Sequence, residues 1–336
     1  MIKEAIAKLI EKNNLTSDEA KQVMEEIMSG QATTAQISAY LVAMRLKGET
    51  IDEIIGSAEA MRQHATKIAS TKPNLLDTCG TGGDRSYTFN ISTVSALVAA
   101  GAGAIVAKHG NRAVSSMCGS ADLLKELGVN IEARPDIIQK CLNQIGIAFL
   151  FAPLLHESMK YAAPVRREIG VRTIFNVLGP MTNPAGARHH LLGVFNADLT
   201  EPLAKALAKL GSKHVLVAAG KDGLDEITTT AETIISELKN GKVKTYKIKP
   251  GDFGIKKAKP ADLKGKDVMF NAKLTLDILN GKKGPKRDIV ILNAGAALYA
   301  ADIANNIKQG IKLAAASIDS GKAKEKLEGL KRLTNG

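Results

Sequence analysis

Asp77-Thr78-Cys79-Gly80-Thr81-Gly82-Gly83-Asp84, closely followed by Thr88-Phe89-Asn90-Ile91-Ser92-Thr93, is the stretch from which the fold is read. It lies between the short apolar run Leu75-Leu76 and the small-residue apolar segment Val94 to Ala104. A strand, a glycine-rich turn and a helix in that order make a backbone cradle for an anion. Glycine lets the main chain adopt positive φ and approach a ligand closely, so successive N–H groups converge on oxygens. The helix beginning near Ser92 adds its positive dipole end and its unpaired N–H groups. Asp84 would repel phosphate unless a cation or a sugar hydroxyl lay between them. The ligand implied carries phosphate, hydroxyls and a metal together.

Two common cradles are excluded. No Gly-x-x-x-x-Gly-Lys-Ser/Thr occurs in the chain, and Gly80-Thr81-Gly82-Gly83 does not satisfy the dinucleotide pattern Gly-x-Gly-x-x-Gly. Gly101-Ala102-Gly103 lacks the third glycine and sits where a helix passes into a strand.

Upstream, residues 1–70 have the pattern of a helical unit. Thr16 with Glu19, Thr33 with Gln36 and Thr50 with Glu53 are capping boxes, each followed by apolar residues at helical spacing. Thr71-Lys72-Pro73-Asn74 is a linker. From residue 74 to 336 strand, loop and helix alternate. Strands are expected at Ile105–Ala107, Val129–Ile131, Ile147–Phe151, His214–Ala219 and Ile289–Leu292. The fold class expected is therefore α/β: a large α/β domain with a mostly parallel central sheet, beside a small all-helical N-terminal domain. In such sheets ligands collect at the carboxyl ends of the strands.

At 336 residues with 45% hydrophobic side chains, the chain is long enough for two folded units. No run is long enough to span a bilayer, and no apolar N-terminal segment resembles a signal peptide. Cys79, Cys118 and Cys141 lack metal-ligand spacing, so reduced thiols and a cytoplasmic location are expected. The net charge of +12 raises nucleic-acid binding, but aromatics are only 4% and Trp is absent. The lysines scatter through the C-terminal third rather than forming a stripe with interleaved aromatics. Neither nucleic acid nor membrane is the expected partner.

Three further clusters each follow a strand. Lys108 to Ser116, continued by Cys118-Gly119-Ser120, packs two cations, a histidine, an amide and serines into one loop, a polyanion signature. Pro164-Val165-Arg166-Arg167 opens a helix that can aim a guanidinium at a carboxylate. In Gly220-Lys221-Asp222-Gly223-Leu224-Asp225-Glu226 the adjacent acids suit Mg²⁺, while Asp222 has the place of a turn residue.

Gly80 to Asp84, Asn90 to Thr93, Lys108 to Arg112, Pro164 to Arg167, Asn176 to Pro184, Asp222 to Glu226 and Asn293 to Leu298 together resemble the anthranilate phosphoribosyltransferase family of the tryptophan pathway. The resemblance runs over nearly the whole chain. It implies that Gly80, Gly83, Asp84, Thr88, Asn90, Ile91, Ser92 and Thr93 bind phosphoribosyl pyrophosphate. It implies the same of Lys108, His109, Gly110, Asn111, Arg112, Ala113, Val114, Ser115, Ser116 and Ser120. Gly80, Asn111 and Arg166 would receive anthranilate, with Arg166 on its carboxylate. Ser92 would touch one Mg²⁺, and Asp225 and Glu226 would hold a second. A homodimer paired through the helical unit is implied too, with helices from about residues 165–190 joined to that unit. Two positions depart from the resemblance: Arg85 stands where Gly is expected, and Met117 where Lys is expected.

The chemistry implied is departure of pyrophosphate from C1 of a ribose as the arylamine of anthranilate attacks. A weakly basic amine can lose its proton late, so no strong general base is demanded; His109 is the candidate. The alternatives are a pyrimidine-nucleoside phosphorylase of the same fold and a non-catalytic nucleotide or nucleic-acid binder on this scaffold.

Overall fold

The computed structural model describes residues 1–84, 86–113 and 117–336. Its first helices are α1 (Ile2–Ile10), α2 (Ser17–Met28), α3 (Thr34–Lys47) and α4 (Ile51–His64). All three expected capping boxes form: Thr16, Thr33 and Thr50 accept the N–H groups of Glu19, Gln36 and Glu53, whose side chains reach back. The third box also pins the tertiary structure. Glu53 is fully buried, and it accepts Leu15 N–H at 2.9 Å and the Lys47 ammonium at 2.9 Å. A helix start thus becomes a junction between α4 and the chain entering α2.

Seven strands follow: β1 (Leu75–Gly80), β2 (Ile105–Gly110), β3 (Ile147–Phe151), β4 (His189–Gly193), β5 (His214–Gly220), β6 (Thr233–Lys239) and β7 (Lys242–Ile248). Their order is β3-β2-β1-β4-β5-β6-β7, parallel from β3 to β5 and antiparallel at β6 and β7. The remaining helices are α5 (Ile91–Gly101), α6 (Ser120–Glu126), α7 (Pro135–Ile145), α8 (Ala152–Leu155), α9 (Ala163–Ile169), α10 (Phe175–Leu178), α11 (Thr200–Lys209), α12 (Val268–Leu279), α13 (Pro285–Ala300), α14 (Ile307–Asp319) and α15 (Lys322–Asn335). No helix among the described residues is long and apolar enough to cross a membrane.

Alternation along the central strands divides the interior in two. Leu191, Leu216 and Ala218 face a core shared with α5, α13 and α15. Leu192, Val194, Val215, Val217 and Ala219 face a second core that runs through α11 and α10 into α2 and α4. Successive strand residues point to opposite faces, so one sheet serves both. The helical unit is seated on the sheet through that second core, with α9 packed on α3 and α10 on α4.

Two expectations are corrected, and one hairpin is added. Val129–Ile131 is not a strand but part of the connection between α6 and α7, entered through Gly128 at φ 88°. Ile289–Leu292 lies in the middle of α13. That helix is buried against α5, α14 and the sheet, so its apolar run lacks the polar face by which a helix is told from a buried strand. The last two strands form an antiparallel hairpin over Asn240-Gly241, both at positive φ. That dipeptide is the usual signal for such a turn, and the βα alternation masked it.

A polar cluster ties β6 to the end of α13. Glu237 accepts a hydrogen bond from the Tyr299 hydroxyl at 2.6 Å and lies 3.2 Å from His214 Nε2. Burial alone would raise its pKa, but hydrogen bonds from His214, Tyr299 and Tyr246 hold it down at about 2. A carboxyl whose folded pKa lies below the unfolded one stabilises the fold above the unfolded value, and that contribution is lost as pH falls to the folded value. Glu237→Gln should therefore lower the urea midpoint near neutrality, with the gap to wild type closing from about pH 4.5 towards pH 2. A gap independent of pH would mean that Glu237 contributes through packing alone.

Candidate active site

β1 and β4 end side by side, Gly80 opposite Gly193, and the loop after β5 lies across both ends. A Cβ on Gly193 would come within 1.6 Å of the Asp225 carbonyl oxygen, and one on Gly80 within 2.6 Å of Asp225 Oδ2. The two strands end in glycine because the Asp225 segment occupies the space a side chain would need. Asp222 shapes that loop from within, as its turn position suggested. Its carboxylate accepts Leu224 N–H at 3.3 Å, the Thr228 hydroxyl at 2.7 Å and the Thr230 hydroxyl.

The loop delivers two carboxylates to the cradle. Asp225 Oδ2 accepts Gly82 N–H at 2.8 Å, and Glu226 Oε1 accepts Ser92 N–H at 3.0 Å. The sequence pattern left the first N–H groups of α5 free for a phosphate, but in the structure they have protein acceptors. Ser92 N–H goes to Glu226, Ile91 N–H to Phe89 C=O at 2.7 Å, and Thr93 N–H to Asn90 C=O at 3.2 Å. The positive helix end therefore holds a resident carboxylate. Gly82 and Gly83 both have positive φ, as the turn requires.

The electrostatics follow from burial. Glu226 is pushed well up by desolvation and then by Asp225; Asp225 is pushed up by desolvation and then by Asp84. Lys108, buried beneath the cradle on β2, donates to Thr78 C=O and lies 3.4 Å from Ser92 Oγ. Burial lowers its pKa against the pull of Asp77, Cys79 and Glu226. One buried ammonium does not balance this many carboxylates, which is the arrangement a divalent cation completes. Among the described residues no three His, Cys, Asp or Glu side chains gather into a closed metal cage. Two adjacent carboxylates and the Ser92 hydroxyl still fit Mg²⁺, which keeps waters and shares its shell with substrate phosphates.

Asp77 fastens the strand ends below this layer. Its carboxylate accepts His109 N–H at 3.1 Å and Asn183 Nδ2 at 2.8 Å, and the same amide donates to Ala107 C=O at 2.8 Å. Desolvation raises Asp77 to about 6. The His109 ring is part of the wall: Nδ1 lies 3.1 Å from Gly179 C=O, and the ring centroid 5.1 Å from that of His156. Burial, then His156, push its pKa down to about 3, so the imidazole is neutral. A donated Nδ1–H leaves Nε2 as an acceptor.

The second loop is clamped at both ends. Asp122 accepts Ala113 N–H at 3.0 Å and Gly119 N–H at 2.9 Å, while Asn111 C=O accepts the Ser120 hydroxyl at 3.1 Å. Gly110 adjoins Ser120, and Arg112 turns towards Glu132 at 3.4 Å and over Phe151. Asn90 Nδ2 donates to Cys118 C=O at 2.9 Å, joining this loop to the cradle. Thr88 is bridged to Lys264. Val114, Ser115 and Ser116, expected to bind phosphate, lie outside the described residues, as does Arg85. Met117 is 62% exposed.

Arg166 stands on α9, which Pro164 opens. Its guanidinium is half-buried 5.1 Å from the Phe175 ring centre, and no hydrogen bond or ion pair engages it among the described residues. Desolvation pulls its pKa down. A partly dehydrated, unpaired guanidinium is a receptor for a planar carboxylate. Two residues without an assigned role in the motifs prove structural to the site: Asn183, above, and Arg172. Arg172 donates to Gly83 C=O and stacks 3.7 Å from the Phe195 ring centre. The Asn183-Pro184 dipeptide and an arginine just past Gly170 were the available signals.

Residues 3–65 match the helical bundle domain of a glycosyl transferase family, and residues 72–324 match that family's a/b domain. The anthranilate phosphoribosyltransferase of Symbiobacterium thermophilum is 50% identical over 334 residues, 99% of this chain and 98% of the relative. The crystal structure of anthranilate phosphoribosyltransferase from Thermus thermophilus superposes with a TM-score of 0.94 at 43% identity, covering 99% of both chains. The Saccharomyces cerevisiae enzyme in complex with PRPP and Mg gives a TM-score of 0.91 at 28% identity, over 99% of this chain and 98% of that one.

Proposed function

The chain belongs to the anthranilate phosphoribosyltransferase family, and we propose that its carboxylate-loaded cradle holds phosphoribosyl pyrophosphate with Mg²⁺ while Arg166 receives the carboxylate of anthranilate. The enzyme transfers the phosphoribosyl group to the amine of anthranilate, giving N-(5-phosphoribosyl)anthranilate and pyrophosphate in tryptophan biosynthesis. The observation that carries the site reading is the placement of Asp225 on the glycine turn and Glu226 on the start of α5. These acids sit where a bare phosphate would be repelled and where a Mg²⁺ complex would be held.

In this reading one ion lies at Ser92 and a second at Asp225 and Glu226. Bound there, Mg²⁺ would supply positive charge against the pyrophosphate leaving group. The protein's own part is positioning. The turn Gly80 to Asp84, with Thr88 and the Asn90–Thr93 segment, orients the donor, and the clamped loop from Lys108 with Ser120 surrounds its phosphates. Lys108 acts from beneath, holding Ser92 and offsetting the carboxylates. Arg166 orients the acceptor beside Asn111 and Gly80, and orientation of two reactants removes several kcal/mol of barrier. A neutral His109 anchored on Gly179 is a wall residue in this scheme, consistent with late loss of the amine proton.

A second copy of the chain fits the outer face of α1 and α3. Leu46 is 80% exposed, Ile10 69% and Val42 38%, with Val42 and Leu46 one helical turn apart. We place the enzyme in the cytoplasm, where the thiols of Cys79, Cys118 and Cys141 stay reduced; recovery from another cell fraction would overturn that.

Loss of anthranilate fluorescence provides the assay. Arg166→Ala should raise KM for anthranilate by about tenfold or more, the scale of a charge-assisted pair worth roughly 1.5–3 kcal/mol, with less effect on KM for the donor. Equal rises in both constants would reduce Arg166 to a structural role. Asp225→Asn with Glu226→Gln should cut turnover and move the Mg²⁺ titration, and an unmoved titration removes both as ligands. Val42→Asp with Leu46→Asp should turn a dimer into a monomer in sedimentation equilibrium. A wild-type chain already monomeric under the same conditions would overturn the pairing.

A further inference from the structure

Asn293 stands in the middle of α13, fully buried, and its side chain touches no expected substrate position. Its amide is wholly committed. Oδ1 accepts Ile227 N–H at 3.0 Å, and Nδ2 donates to Ile227 C=O at 2.9 Å and to Ile289 C=O at 2.9 Å. One side chain therefore holds both backbone polar groups of the residue directly after Glu226. The loop there has no regular secondary structure to hold it.

The helix carrying Asn293 is also keyed to α5, because Ser95 Oγ donates to Val290 C=O at 3.3 Å. Ser92 of α5 in turn donates its N–H to Glu226 at 3.0 Å. The contacts close a circuit: α13 holds Ile227, the chain carries Glu226, Glu226 takes the start of α5, and α5 is keyed back to α13. The other side of the loop is blocked, with Asp225 C=O against Gly193. Only a side chain that offers a donor and an acceptor at peptide spacing can close this circuit in a dry interior. Leucine of similar size would orphan the N–H and C=O of Ile227, and serine would fall short of them.

We propose that Asn293 is a positioning residue for the cation-binding acids: it sets where Glu226 and Asp225 stand relative to the α5 helix start. The proposal rests on reading those two acids as Mg²⁺ ligands. Loss of the amide frees the loop, so Mg²⁺ and the donor must order the carboxylates on binding, at a cost in apparent affinity.

The test uses the full chain with Asn293→Leu and Asn293→Ser. Binding of phosphoribosyl pyrophosphate is followed by isothermal titration calorimetry without anthranilate, so no turnover occurs, across a series of Mg²⁺ concentrations. The expected result is a rise of about fivefold or more in the Mg²⁺ needed for half-maximal donor binding. KM for anthranilate at saturating donor and Mg²⁺ should stay unchanged. A merely structural role lowers the melting temperature and the active fraction but leaves the Mg²⁺ midpoint alone. A midpoint within about twofold of wild type in folded variants would overturn the proposal. If Asn293→Leu does not fold, Asn293→Ser, which leaves room for water, carries the comparison. The Asp225→Asn, Glu226→Gln variant runs in the same titration. A shift there without one at Asn293 sinks the positioning role alone, and no shift there sinks the metal reading itself.

Discussion

The hydrogen bond from Ser92 N–H to the Glu226 carboxylate is the contact on which the site depends. A helix start has to satisfy its first donors, and a carboxylate driven into the interior needs positive potential around it. Each requirement meets the other here. The same exchange recurs at Gly82 and Asp225, so the cradle and the acidic loop form one object rather than two facing surfaces. Lys108 is the buried counter-charge beneath these carboxylates.

This object needs a rigid floor, and the sheet supplies it. Pairing between β1 and β2 ends at Leu76 and Val106, whereas β1 and β4 stay paired to Gly80 and Gly193. The strands part where Asp77, Asn183 and Lys108 enter, and those side chains replace the missing ladder with their own bonds. The apolar faces above and below belong to separate cores, one reaching into the α1–α4 unit. The position of Arg166 therefore depends on helices remote in sequence, since α9 packs on α3.

Much of this was legible beforehand where one residue type has one physical use. Threonine followed three residues later by an acid or amide marked three helix starts, and the glycine turn marked the carboxyl end of β1. Legibility failed where burial erased contrast. Ile289–Leu292 is apolar because neighbours surround α13, and such a run does not announce its period. It failed again where the partner was distant. Nothing local shows that Ser92 N–H is claimed by a residue 134 positions away, or that Asn183 serves Asp77. The helix end could be recognised as a receptor from sequence; that its occupant belongs to the protein could not.

Arg172 bears on how such an enzyme can be redesigned. It arises in the segment that also carries Arg166, yet its guanidinium is spent on Gly83 and the Phe195 ring. The segment after α9 and the glycine turn thus share a side chain and are not interchangeable modules. Replacing the segment that follows α9 would take Arg172 away with it, and the glycine turn would lose a tether that lies far from it in sequence.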